Sequence, residues 1–86
     1  MNTKQQIKVE LEFFAILKDI LNENLSLYFD NPLTIGDLKK NLIEKFPQAE
    51  EILRFSRFST EDKILEENTK IEKNQKIYVL PPSSGG

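Results

Sequence analysis

The sequence has 86 residues, of which 38% are hydrophobic and 30% charged, and twelve basic against fourteen acidic residues give a net charge of −2. This length predicts one domain, and the absence of cysteine and histidine excludes disulfides, thiolate nucleophiles and the commonest metal ligand, so a self-sufficient hydrolase or metalloenzyme is not expected. With no basic block, no long apolar run and no signal-peptide pattern, we expect a cytoplasmic protein without nucleic acid or membrane partners.

The first predicted strand follows a lead-in, residues 1–6, that we expect to be frayed. Its alternating apolar members are Ile7, Val9, Leu11 and Phe13. Such alternation is typical of a half-buried strand, and Phe14 falls out of phase, on the charged side. A local bend and an exposed functional phenylalanine explain this phase break equally well.

A short helix and a second strand are predicted next. Residues 15–21 are expected to form one or two helical turns, with four apolar residues available for burial: Ile16, Leu17, Ile20 and Leu21. The alternation of Leu25, Leu27 and Phe29 then predicts a second strand. This strand most simply pairs with the first as an antiparallel hairpin.

The clearest helix is predicted to begin at Thr34, whose hydroxyl can cap the first turn, with Asp37 as the acid of a capping box. Apolar residues recur on one face of this helix at Ile35, Leu38, Leu42 and Phe46. The outer face carries three lysines that are expected to be solvated, Lys39, Lys40 and Lys45. Pro47 is expected to end the helix, and we interpret Gly36 as a position of close packing.

The segment after this helix is less regular. Residues 48–53 are predicted to form a short helical turn. Residues 54–58, Arg-Phe-Ser-Arg-Phe, are predicted to form a strand with one phenylalanine on each face, in preference to an RNA-stacking motif, because no wider basic surface is present. Residues 63–65 predict a very short strand, and Ile71 is interpreted as an apolar plug under a loop.

The last predicted strand, residues 76–80, leads directly into an unusual C-terminal tail, residues 81–86. Pro81-Pro82 ends strand pairing and stiffens the backbone, because proline lacks an amide donor and has a fixed φ. Ser83, Ser84 and Gly85 are small enough to enter a narrow channel, and Gly86 would offer an unhindered carboxylate. Frayed ends are common, but this order favours a tail that presents its own terminus.

The element order predicts an α+β roll, if the last strand lies parallel beside the first in the middle of a mixed sheet. We expect a single domain over residues 1–80, followed by the flexible tail, residues 81–86. Because Phe14 and Leu80 are both out of phase with the core, they are expected on the same outer face near the start of the tail, where Ile64 can join them.

Three stretches resemble the MoaD/ThiS sulfur-carrier family, and most of all the MoaD-type small subunits of molybdopterin synthase. Residues 7–19, IKVELEFFAILKD, resemble the family's opening strand and its Phe-Ala-x-Leu-Arg-Glu turn. Residues 34–38, TIGDL, resemble its helix start, and residues 76–86, KIYVLPPSSGG, its closing Pro-Pro-Val-x-Gly-Gly signature. The resemblance implies a ubiquitin-like β-grasp fold, with one main helix packed on one face of a mixed β-sheet and an extended Gly-Gly tail.

The resemblance also implies a chemistry for the terminus. A ubiquitin-activating-like adenylyltransferase would use ATP to adenylate the carboxylate of Gly86, and sulfur transfer would then produce a thiocarboxylate. This thiocarboxylate would donate sulfur for molybdopterin synthesis in the large synthase subunit, with an expected heterotetramer. The chain itself would bind no permanent cofactor and no metal, and it would not be an enzyme on its own.

The implied site has a reactive end and a docking patch. Gly85 and Gly86 form the reactive end. Large apolar residues that share a solvent-facing patch usually mark a protein interface. The expected partner-binding residues are Phe14, Ile64 and Leu80 with Lys18 at the rim, followed by Pro81, Pro82, Ser83 and Ser84.

Three alternatives share the fold and the tail. A thiamine-type sulfur carrier is one, although such carriers are typically shorter and lack the Phe-Phe-Ala-x-Leu opening and the Pro-Pro spacer. A ubiquitin-related modifier, attached to lysines through Gly86, is the second. The third is a non-catalytic β-grasp interaction module in which the Gly-Gly end is incidental.

Overall fold

A computed structural model describes residues 5–21 and 24–82, so the predictions for residues 1–4 and for Ser83, Ser84, Gly85 and Gly86 lie outside the described residues. The strands are β1 (Ile7–Phe13), β2 (Leu25–Phe29), β3 (Leu33–Thr34), β4 (Arg57–Ser59), β5 (Ile64–Leu65), β6 (Lys70–Ile71) and β7 (Gln75–Leu80). The helices are α1 (Ile16–Leu21), α2 (Ile35–Lys45) and α3 (Glu50–Arg54), with a 3-10 turn at Pro47–Ala49 before α3.

The main sheet has the strand order β2-β1-β7-β4-β5, which places the last strand in the middle. β1 pairs with β2 in antiparallel fashion, with Val9 opposite Leu27, as the hairpin prediction requires. β7 runs parallel to β1 and antiparallel to β4. The predicted mixed sheet of a ubiquitin-like β-grasp fold is therefore confirmed.

The core lies between the sheet and α2, and it follows from the alternation of the two central strands. The inward side chains of β1 and β7 are buried, whereas the residues between them remain partly exposed. The central core residues are Val9, Leu11, Phe13, Ile77 and Val79 from the sheet, and Ile35, Leu38 and Leu42 from α2. Removing one such side chain from water is worth about 1.5–3 kcal/mol, so the alternating pattern specifies which face of each strand packs inward.

The start of α2 is stabilised by the predicted capping box. The Asp37 N–H donates to Thr34 Oγ1 and the Thr34 N–H donates to Asp37 Oδ2, each over 3.1 Å. Hydrogen bonding to the carboxylate, first from the Thr34 N–H and then from the Thr34 side chain, lowers the pKa of Asp37 below its ordinary value. Gly36 does approach another segment closely, because its N–H donates to the Glu67 carbonyl over 2.9 Å, and an added Cβ would lie 3.4 Å from that oxygen.

Two predictions about single apolar residues are wrong. Ile16 is 47% exposed rather than buried, because α1 is only six residues long and its inward positions are taken by Leu17 and Leu21. Ile71 is fully buried, but it belongs to a strand rather than to a loop plug. It pairs with Leu33, and the pair forms a small second sheet of β3 and β6.

Lys39 is not the solvated residue that its position on the outer face of α2 predicts. Only 14% of its side chain is exposed, and its Nζ donates to the Arg54 carbonyl over 3.1 Å and to Glu67 Oε2 over 2.9 Å. The ammonium also lies 5.8 Å from the centre of the Phe58 ring. Lys40 and Lys45 are exposed, as predicted.

Candidate docking surface beside the tail

The outer face of the main sheet, opposite the core, carries one row of residues across four strands. Glu12 of β1 lies opposite Tyr78 of β7, Tyr78 opposite Ser59 of β4, and Ser59 opposite Ile64 of β5. Directly opposed residues in neighbouring strands project to the same face of a sheet. The row therefore places Ile64 and Tyr78 on one surface, and Leu80, two residues further along β7, belongs to the same face.

Phe14 joins this face through a sharp change in chain direction. β1 ends at Phe13, and Ala15 adopts a φ of 55° before α1 begins. A left-handed conformation at a non-glycine residue costs about 1–2 kcal/mol, and here it turns the backbone out of the sheet. The half-buried Phe14 ring then contacts Tyr78, with ring centroids 5.7 Å apart and planes inclined by 57°. The phase break at Phe14 thus coincides with a bend, and the ring stays on the outer face.

Tyr78 also lies beside a charged pair. Lys76 Nζ contacts Glu12 Oε1 over 3.0 Å and lies 5.4 Å from the centre of the Tyr78 ring. The hydrogen bond that the Lys76 ammonium donates to Glu12, together with the negative charge of Glu12, raises the pKa of Lys76 above its ordinary value. The aromatic pair therefore lies beside a cation that already has a partner.

Leu80 lies at the other end of the row, where the tail begins. Its side chain is half-buried, and Arg57 stands opposite it in β4. An open groove of about 430 Å³ follows; we call it the tail groove, and its lining residues are Phe55, Arg57, Leu80, Pro81 and Pro82. Leu80, Pro81 and Pro82, all predicted as partner-binding residues, are thus brought together at one surface.

The prediction for residues 54–58 is only partly right. Phe58 is buried in the core, but Phe55 is not in a strand, because β4 begins at Arg57. α3 ends in a tight turn, in which the Phe55 N–H donates to the Ile52 carbonyl over 3.2 Å and the Ser56 hydroxyl to the same carbonyl over 2.6 Å. This turn leaves Phe55 67% exposed at the edge of the tail groove.

Ile64 is on the predicted face but stands apart from the aromatic pair. The β4–β5 turn is closed by the Thr60 N–H, which donates to the Lys63 carbonyl over 2.9 Å, and Ile64 after it is 48% exposed. β4 lies between β5 and β7, so about 10 Å separates the backbones of Ile64 and Tyr78. Lys18 is exposed on α1 and makes no ion pair within residues 5–21 and 24–82.

Two exposed or half-exposed aromatic residues of this surface were absent from the predicted site, Tyr78 and Phe55. Tyr78 was detectable, because it has the same parity as Leu80 in the last strand. Phe55 was not, because its exposure depends on where α3 ends and β4 begins, and five residues carry no clear period.

The described residues offer neither a metal centre nor a membrane span. Over residues 5–21 and 24–82, no group of three or more acidic side chains is close enough together to hold a metal ion. None of the helices in this part of the chain is long and apolar enough to cross a membrane. What the described surface does offer is an apolar face next to the root of the tail.

The fold and this surface define a ubiquitin-like β-grasp protein. The ThiS family model matches residues 11–86, which include the end of β1, all of β7 and the Gly-Gly end. The chain therefore belongs to the ThiS family of ubiquitin-like sulfur carriers.

Solved structures share this fold at low sequence identity. A putative molybdopterin converting factor subunit 1 from Pyrococcus furiosus matches with a TM-score of 0.76 and 12% identity, over 90% of this chain and 99% of that chain. SAMP1 from Haloferax volcanii matches with a TM-score of 0.75 and 18% identity, over 92% and 99%. A ubiquitin from Caldiarchaeum subterraneum matches with a TM-score of 0.63 and 11% identity, over 95% and 100%. A search among curated proteins gave no match.

Proposed function

We propose that this member of the ThiS family carries sulfur on its C-terminal carboxylate and serves as the small subunit of a molybdopterin synthase. The observation that carries the proposal is the position of the tail. Pro81-Pro82 and the Ser-Ser-Gly-Gly end follow directly from β7, the middle strand, beside the face that holds Phe14, Tyr78 and Leu80. The fold shared with a putative molybdopterin converting factor subunit supports the choice of pathway.

The proposed chemistry takes place at Gly86 in two steps. A carboxylate oxygen of Gly86 attacks the α-phosphorus of ATP, so that pyrophosphate leaves and an acyl adenylate forms. A sulfide-level nucleophile then displaces AMP and leaves a thiocarboxylate, with no change in the oxidation state of the carbon. The adenylyltransferase binds the ATP. This chain, which has neither histidine nor cysteine, contributes only the carboxylate and the domain that presents it.

The remaining site residues orient this carboxylate. In the proposal Phe14, Ile64 and Leu80 dock the partner and Lys18 adds charge at the rim. Pro81 and Pro82 act as a stiff spacer, because their φ angles are fixed and they cannot pair as a strand. Ser83, Ser84 and Gly85 form the thin part that enters the active site of the partner.

Two partners follow from this proposal. The activating adenylyltransferase loads Gly86 in the cytosol, where ATP is at hand. The large synthase subunit then receives the loaded tail and transfers the sulfur to a pterin precursor, in an expected heterotetramer of two small and two large subunits. The thiocarboxylate of Gly86 is consumed and formed again in each cycle, and the small subunit performs no catalysis alone.

The intact mass of the chain tests the proposal. After incubation with the adenylyltransferase of the same organism, ATP and a sulfide source, we expect the mass to rise by the difference between sulfur and oxygen. A variant without Gly86 is the control and should stay unchanged. A wild-type chain that gains no mass, or a Gly86 deletion that still supports molybdopterin formation, would contradict the proposal, as would delivery of the sulfur to a thiamine-pathway acceptor instead.

A protein modifier is the second candidate, because the chain shares its fold with small archaeal modifier protein 1 of Haloferax volcanii at 16% identity. A modifier would use the same acyl adenylate but would join Gly86 to the amine of a lysine. Mass spectrometry of tryptic peptides from cells that express a tagged copy separates the two functions. Branched lysines that carry the end of this chain would favour the modifier, and a free thiocarboxylate would favour the carrier.

A further inference from the structure

We propose that the tail groove is a second docking wall, formed by Phe55 and Arg57 and occupied by an acidic surface of the adenylyltransferase that activates Gly86. This inference rests on the proposed function and adds a partner contact to it. In the sheet, β1 lies on one side of β7 and β4 on the other. The tail therefore starts between the end of β1, with Phe14, and the segment that leads into β4, with Phe55 and Arg57.

The length of the tail identifies the occupant. Four residues follow Pro82, and fully extended they span at most about 14 Å. An enzyme that holds the Gly86 carboxylate beside ATP must therefore come within about 14 Å of Pro82, which itself lines the tail groove. Because Phe55 and Arg57 line the same groove as Pro82, we expect a protein surface that closes around the tail to contact them.

The chemistry of the groove specifies what this surface carries. Phe55 is 67% exposed and lies with Leu80 and Pro82 around the same opening, so burying its ring removes a large apolar area from water. Arg57 is exposed and makes no ion pair with a carboxylate among the described residues, whereas Arg54 nearby is paired with Glu50 over 2.6 Å. The complementary surface is an apolar socket for the ring with a carboxylate opposite the guanidinium.

The test measures ATP–pyrophosphate exchange catalysed by the adenylyltransferase of the same organism, with the full chain as the substrate. Phe55→Ser and Arg57→Glu should each lower kcat/KM by about tenfold, because an interface residue of this kind is worth roughly the free energy of one factor of ten. Two matched controls lie elsewhere on the surface: Tyr28→Ser, at an exposed aromatic of β2, and Lys70→Glu, at an exposed cation of β6. Both controls should react like the wild type.

The salt dependence of kcat/KM isolates the contribution of the Arg57 charge. If Arg57 faces a carboxylate, kcat/KM of the wild type should fall as salt is added, and this dependence should weaken in Arg57→Glu and persist in Arg57→Lys. Circular dichroism and the unfolding midpoint of each variant should match the wild type, since both side chains are largely in solvent.

The results separate the two proposals. If the wild type supports exchange and both groove variants match it, the second docking wall is overturned while the carrier function stands. If the wild type supports no exchange at all, the carrier proposal fails and this inference fails with it. A selective loss in the groove variants, with unchanged controls, supports both.

Discussion

Leu80 combines two roles at the scale of one residue, because its backbone pairs in the main sheet while its side chain lies on the outer face. We expect Leu80→Glu to abolish binding to the adenylyltransferase and to the large synthase subunit, because a carboxylate would have to be desolvated in an apolar interface. Tyr28→Glu, which introduces the same charge on the same face in β2, is the control and should bind normally. Titration calorimetry and the circular dichroism spectrum check both statements, and unchanged binding of a folded Leu80→Glu would remove Leu80 from the interface.

Lys39 acts at the same scale but on stability. Its ammonium joins the end of α3, through the Arg54 carbonyl, to the loop that holds Glu67. We expect Lys39→Met to lower the free energy of unfolding by about 1.5–3 kcal/mol, because a charged hydrogen-bond donor is lost from a nearly buried position. Lys40→Met, at the exposed neighbouring lysine, should change it by less than about 0.5 kcal/mol. Chemical denaturation curves of the two variants measure both changes in the free energy of unfolding.

At the scale of the element, the capping box of α2 gives the protein a predictable response to acid. Hydrogen bonds from Thr34 keep the pKa of Asp37 below its ordinary value of 3.8 in the folded state. Above pH 3.8 Asp37 is ionised in both states, and its hydrogen bonds stabilise the folded protein. As pH falls below 3.8, the unfolded chain binds the proton first, because its pKa is the higher one. The stabilisation is therefore lost as pH falls towards the lower pKa of the folded state. Asp37→Asn should flatten this part of the curve of unfolding free energy against pH, and an unaltered curve would show that the capping box is not responsible.

The cap itself can be tested separately from the titration. Thr34→Ala removes the hydroxyl that accepts from the Asp37 N–H, and we expect it to lower the unfolding free energy by about 1 kcal/mol at neutral pH. Thr34→Ser retains an accepting oxygen and should be close to the wild type. Thermal or denaturant unfolding of the three proteins at one pH provides the comparison, and equal midpoints would contradict a stabilising cap.

The elements also show which parts of the fold can be predicted from local sequence patterns. The apolar residues of β1 and β7 alternate over enough positions to show a period of two. Those from Ile35 to Leu42, behind a capping threonine, show the period of a helix. The structure has both strands and the helix where these patterns predict them. β3 and β6 contain two residues each, so no period exists, and their pairing depends on contacts nearly forty residues apart in the chain. The predictions for Lys39 and Phe55 fail for the same reason, because the partners of Lys39 and the exposure of Phe55 are set by tertiary structure.

At the scale of the whole molecule, the sheet order predicts a gradient of local stability. β1 and β7 are paired on both edges, whereas β2 and β5 are the outer strands. We expect the amide hydrogens of Leu11, Ile77 and Val79 to exchange slowest, near the rate set by global unfolding, and those of β5 and β6 to exchange much faster. Hydrogen exchange followed by NMR measures this directly, and fast exchange in β7 would mean that the base of the tail is not rigidly held.

The place of β7 has a consequence for how the protein is made. The ribosome synthesises β7 after every other described element, yet β7 separates β1 from β4, so neither half of the main sheet can close around a gap in its middle. A nascent chain that stops before Leu80 lacks both the central strand and the root of the tail. Copies that stop before β7 is complete therefore cannot fold into decoys that present a docking face without a reactive end.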